Sequence, residues 1–144
     1  MLQINVFKNM QNQHKDILGL AAKIKAQAGD PSSAVDPDAI RANLSKFRLQ
    51  LELHLKLEDE ILYPLLAKNN KEQIRNTATA FAREFGSVLK AFLDYEEKWS
   101  TTGAITQDRE GFASETEHFF TVLQARITRE DTELFTLIES GSAR

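Results

Sequence analysis

Apolar residues recur along this chain at alternating steps of three and four, the spacing of helices that each bury one face. The first stripe runs Phe7, Met10, His14, Ile17, Ala21, Ile24, Ala28, on a helix expected to begin near Asn5 and to stop at Gly29-Asp30-Pro31. The linker Asp30 to Val35 leads to Asp36 as N-cap and Pro37 at the first helical position. The second stripe follows: Ile40, Leu44, Phe47, Leu51, His54, Glu58, Ile61, Leu65, closing near Ala67, with Pro64 expected to bend the last turn. Asn69-Asn70 is a short connection that forces a reversal, and Asn70 with Gln73 reads as a capping box. The third stripe is Ile74, Ala78, Phe81, Phe85, Val88, Phe92, Tyr95, Trp99. After a loop from Ser100 to Ile105, Thr106 is the expected N-cap of a helix with Phe112, Thr116, Phe119, Leu123, Arg126, Glu130, Leu134, Ile138 on one side. No segment carries the period of a strand. The pattern predicts an all-α fold, an up-down-up-down antiparallel four-helix bundle forming one domain over residues 1–144.

Polar residues interrupt three of the four stripes. His14 is the one polar member of the first, His54 and Glu58 fall four apart in the second, and Arg126 and Glu130 fall four apart in the fourth. Side chains four apart lie on one helix face, one turn from each other. An unpaired buried carboxylate is costly, so these residues need partners. Counted from the end of the bundle they share, at about 1.5 Å per residue, all of them lie about 12–20 Å in. The third stripe is apolar throughout, with Phe85 at the same depth and Glu84 beside it. Two glycines inside helices also need a reason: Gly19 is expected at a close helix contact, and Gly86 is expected to make room for a ring.

Composition narrows the chemistry. The chain has no cysteine, which excludes disulfides and thiolate metal sites. Its net charge of -3 comes without a basic block, which gives nucleic-acid binding no support. No apolar run approaches the roughly 18 residues of a membrane span, and no signal-type segment opens the chain. A soluble, cytoplasmic protein is the expectation. His118 is assigned to the rim, and Glu52, Asp59, Glu60 and Glu133 to solvent. No nucleophile–base constellation appears and no substrate is named, so an enzyme is the lesser reading, its route being an open 2-His metal site that activates dioxygen or peroxide. What remains is the core layer. Two imidazoles and two carboxylates converging inside a bundle have the ligand chemistry of a divalent metal site, on His14, His54, Glu58 and Glu130.

The His14 helix, then His54-x-x-x-Glu58 with its Ile61-Leu62-Tyr63-Pro64 tail, then Ile127-x-x-Glu130-Asp131-x-x-Leu134-Phe135, resembles the hemerythrin-like (HHE cation-binding) domain family over nearly the whole chain. The resemblance implies a bundle holding two iron ions between histidines and carboxylates of all four helices. His14, His54, Glu58 and Glu130 match that pattern. Phe85 stands where the third-helix histidine is expected and Arg126 where the fourth-helix histidine is expected. By that mapping one iron half-site is kept and the histidines of the other are lost. The implied function is cation binding, with one non-haem iron and a role in iron handling or oxygen and redox sensing, dioxygen being an implied small ligand. Manganese or zinc also suits the ligand set. Three readings of the layer stay open: one metal ion on the four residues; a metal-free interaction or signalling module in which Arg126 neutralises Glu58 and Glu130; and a two-metal site restored by Glu84.

Overall fold

The computed structural model describes residues 2–30 and 35–142. Most of the expected Asp30–Val35 linker lies outside the described residues. Among the described residues there is no strand. Helix α1 spans Leu2–Ala28. Helix α2, Pro37–Leu57, starts as its sequence dictates, with the Asp36 carboxylate accepting from the Asp38 amide and Pro37 at the first position. It runs on through a π-helical turn, Glu58–Leu62, into α3, Tyr63–Leu66. Helices α4, Glu72–Phe85, and α5, Val88–Lys98, share one axis interrupted at Gly86-Ser87. A short helix α6, Thr102–Gln107, precedes α7, Arg109–Arg129, which continues through a second π turn, Glu130–Phe135, into α8, Thr136–Ser142.

The long elements form four rods. α1 packs on α2 and on α7, α2 packs on α5, and α5 packs on α7, closing the ring; α3 and the second π turn meet α4 at the other level. The helical bundle expected from the stripes is therefore present. All of the α1 stripe and all of the α4–α5 stripe are buried as expected. Away from the polar layer the interior is aromatic: Phe47 lies edge-on to Phe92 and Phe120, and Trp99 to Phe112. The Tyr95 hydroxyl is satisfied by Thr116 Oγ1 at 2.5 Å, as a buried hydroxyl requires.

The second stripe departs from expectation at its end. Ile61 and Leu65 are 60% and 58% exposed, while Leu62, Tyr63 and Leu66 are buried. The π turn is the cause. It uses one residue more than an α turn, so the buried face resumes one position later. Pro64, which lacks an amide hydrogen to give to a helical carbonyl, follows directly behind this turn.

The ends and glycines also differ from expectation. Lys71, not Asn70, stands at the N-cap of α4, which has no side-chain cap bond; Asn69 ties the turn before it, its side chain accepting from the Lys71 amide and its carbonyl from Arg75 Nη1 at 2.9 Å. Asp108, not Thr106, caps α7, accepting from the Gly111 amide, and Thr101 caps α6, which buries Ile105. Gly19 faces open space, so no close helix contact explains it. At Gly86 a side chain would meet the Ala82 carbonyl oxygen at 2.7 Å, so backbone at the α4–α5 break, rather than a neighbouring ring, demands glycine.

Candidate metal centre

The four rods deliver the polar residues to one point. His14 comes from the middle of α1, His54 from the last turn of α2, Glu58 from the start of the first π turn, and Glu130 from the start of the second. All four are buried, none more than 3% exposed. One ligand-type atom from each lies within 4.8 Å of those of the other three. His14 Nε2 is 3.3 Å from Glu130 Oε1 and 3.5 Å from Glu58 Oε2, and His54 Nε2 is 3.3 Å from Glu58 Oε1.

The imidazoles are oriented from behind. His14 Nδ1 sits 2.8 Å from Asp131 Oδ1, and His54 Nδ1 sits 2.5 Å from Gln13 Oε1. Both partners are acceptors, so each Nδ1 carries the hydrogen and each Nε2 turns inward. The His14 ring also lies parallel to Phe135 at 5.8 Å. On the inner side His14 Nε2, His54 Nε2, Glu58 Oε2 and Glu130 Oε1 are buried and have no hydrogen-bond partner. Buried polar atoms are ordinarily satisfied. Four that are not, one from each residue and facing one another, define a place for a shared ligand.

The outer oxygens are satisfied differently. Arg126 is fully buried, and its guanidinium donates from all three nitrogens: Nε to Glu130 Oε2 at 3.2 Å, Nη2 to Glu58 Oε1 at 3.2 Å and to Asp59 Oδ1 at 2.9 Å, Nη1 to the Phe85 carbonyl at 2.9 Å. That carbonyl is free because α4 ends there and its last carbonyls have no helical donors. The Tyr63 hydroxyl donates to Glu130 Oε2 as well.

Charge is unevenly balanced. One guanidinium faces the carboxyl groups of Glu58, Glu130 and Asp59, and Asp131 lies behind His14. Burial pushes the Glu130 carboxyl above its ordinary value, the charge on Glu58 adds to this, and the pull of His14 and Arg126 does not reverse it. For Glu58 burial acts in the same direction but is outweighed by contacts with His14 and His54 and the charge of Arg126, so its carboxyl is held well below the usual range. Burial alone would lower the His14 imidazole; its contacts with Asp131, Glu130 and Glu58 overcome that and raise it from 6.5 to about 11. Without a metal the cluster draws a proton onto His14, which is what a site short of positive charge does.

A family model, the Hemerythrin HHE cation binding domain, matches residues 5–138. The chain belongs to this family. No curated protein and no solved structure compared with it gives a match. Within this hemerythrin-type site the two departures noted in the sequence are one arrangement. Arg126 occupies the side of the carboxylates away from His14, and Phe85 supplies its main-chain oxygen to that arginine and a ring 5.8 Å from the guanidinium carbon. Glu84 is not in the layer. It is exposed and binds Arg129 Nη1 at 2.6 Å, so it does not rebuild a second site. Asp59, expected in solvent, is only partly exposed and reaches Arg126. His118, Glu60 and Glu133 are exposed as expected.

Proposed function

We propose that this hemerythrin-type chain binds a single divalent cation, iron being the favoured ion, and serves in iron handling or in oxygen or redox sensing. The ligands are His14 and His54 through Nε2, and Glu58 and Glu130 through their inward oxygens. The convergence of four buried, unpartnered atoms carries this reading. A centre about 2.1 Å from tetrahedrally arranged ligands holds them about 3.4 Å apart; His14 Nε2 lies 3.3 Å from Glu130 Oε1 and 3.5 Å from Glu58 Oε2, and one ligand-type atom of each of the four residues lies within 4.8 Å of the others. Two imidazoles and two carboxylates suit Fe(II), with Mn(II) and Zn(II) as competitors. A bound iron would supply redox chemistry and an affinity for small ligands such as dioxygen. The chain's own groups orient the histidines through Asp131 and Gln13, hold the outer carboxylate oxygens through Arg126 and Tyr63, and exclude water by burial. Arg126 brings a fixed positive charge to the place where a second ion would need ligands, which argues for one metal rather than two.

A second reading draws on the completeness of the Arg126 hydrogen bonds: a metal-free interaction module in which Arg126 neutralises Glu58 and Glu130. It asks one proton on His14 Nε2, 3.3 and 3.5 Å from Glu130 Oε1 and Glu58 Oε2, to serve both oxygens and leaves His54 Nε2 without a hydrogen-bond partner, and for that reason ranks second. Metal analysis after anaerobic Fe(II) loading separates the two. One equivalent per chain supports the single-ion reading, two overturn the single-ion count, and none overturns metal binding in favour of the module.

A further inference from the structure

A groove of about 440 Å³ runs between α1 and α2, and His54 is among the residues that line it. Neither His14, Glu58 nor Glu130 lines it, nor do they line the larger groove between α5 and α7. Three oxygen-bearing side chains line the groove beside His54: the exposed carboxylate of Asp16, the amide of Gln13, and the amide of Gln50, whose Oε1 is buried without a hydrogen-bond partner. Ile17, Leu53 and Leu57 make the apolar walls. Resting on the single-ion reading above, we infer that this α1–α2 groove is the route by which the metal ion enters and leaves, and that His54 is the ligand that opens to pass it.

The two histidines are held unequally, and the difference points the same way. His14 Nδ1 is tied to a carboxylate, that of Asp131, on another rod, and its ring is packed against Phe135. A carboxylate partner fixes an imidazole more strongly than a neutral amide does. His54 Nδ1 is tied to the amide of Gln13, an exposed residue on the rim of the groove. When the Gln13 amide lets go, rotation of the His54 side chain turns Nε2 from the centre toward the groove. Asp16, Gln13 and Gln50 then offer oxygens to a partly hydrated cation, the ligand type that such an ion accepts during transfer. On the opposite side of the layer the route is closed by the buried Arg126 guanidinium, a cation that repels another, and by the Phe85 ring.

Co(II) is the probe, its uptake followed by visible absorption and its release by excess EDTA. Leu53→Trp fills the groove from a position that is 65% exposed. It is expected to slow uptake and release together, each by about tenfold, with the dissociation constant unchanged. Gln50→Trp, in the same groove, is the second plug should the first not fold. Gln13→Leu frees the His54 ring and is expected to speed release by about 10–100-fold. Ala91→Trp, in the α5–α7 groove, is expected to leave both rates at wild type. If both groove plugs leave the rates unchanged, or if Ala91→Trp slows them instead, the route is overturned while metal binding stands. If the wild-type chain takes up no Co(II), the single-ion reading falls and the route falls with it.

Discussion

Arg126 shows how much rests on single side chains. It is a buried cation that donates from all three nitrogens, and the outer oxygens of Glu58 and Glu130 depend on it. Arg126→Met is therefore expected to destabilise the metal-free protein by about 3–5 kcal/mol, the usual cost of stranding a buried charge; urea unfolding with and without Zn(II) measures this, and added Zn(II) should restore part of the loss. The pH response follows from His14. Its folded pKa, about 11, lies above the ordinary 6.5. In the metal-free protein its contribution to stability is thus complete below about pH 6.5 and fades as pH rises through about 11. Metal binding must displace that proton, so affinity should climb with pH by up to about tenfold per unit over the same range, as chelator competition would show. The four residues of the candidate centre were legible in the sequence because each breaks an apolar stripe. Gln13, Asp59 and Asp131 were not, since each lies beside the seam, where polar residues are ordinary. Their signal was adjacency, each being the immediate neighbour of His14, Glu58 or Glu130, and for Asp131 also its place in the fourth-helix motif. Tyr63 gave even less, since its hydroxyl finds Glu130 only through the shift at the π turn.

At the scale of the helix, periodicity read the rods correctly but could not see where the period changes. A stripe of steps three and four stays ambiguous by one residue, so Ile61 and Leu65 were as good a continuation as Leu62 and Leu66 until the π turn was in view. Boundaries were harder for another reason: Thr106 and Asp108 both have capping side chains, and only the turn geometry favours Asp108. Gly19 gives a prediction of its own. It lies within α1, and a methyl group there meets nothing within 4 Å. Gly19→Ala should stabilise the protein by about 0.5–1 kcal/mol through helix propensity, raising the denaturant midpoint without changing the slope.

The molecule as a whole divides into an aromatic half, around Phe47, Phe92, Trp99 and Phe112, and a polar half, around the four residues of the candidate centre. Packing holds the first half, and electrostatics decide the second. The described helices include none long and apolar enough to cross a membrane. Leu49, Leu53, Ile61 and Leu65 nonetheless lie exposed along the outer side of the second rod, at 63%, 65%, 60% and 58%. Because the ligands converge only in the folded bundle, a metal that binds there must stabilise the whole fold. At a free concentration one hundred times the dissociation constant, the gain should be about 2.7 kcal/mol, read as a shift of the unfolding midpoint that grows with metal concentration.

The two π turns begin on Glu58 and Glu130, the carboxylates of the centre. A helix can be thought of as a counter, and here two of four counters skip a beat at the same level. The skip uncouples two demands that a regular helix must meet together. Beyond it, Leu62, Tyr63 and Leu66 keep their appointment with the core; at it, the carboxylate is free to face wherever the centre requires. Deleting Glu60, an exposed residue of the first skip, would let that rod count evenly while burying the same side chains. Such a variant is expected to fold as stably as the parent and to grip metal less well. Comparing its thermal unfolding with its metal affinity would show whether the extra residue serves the ion rather than the fold.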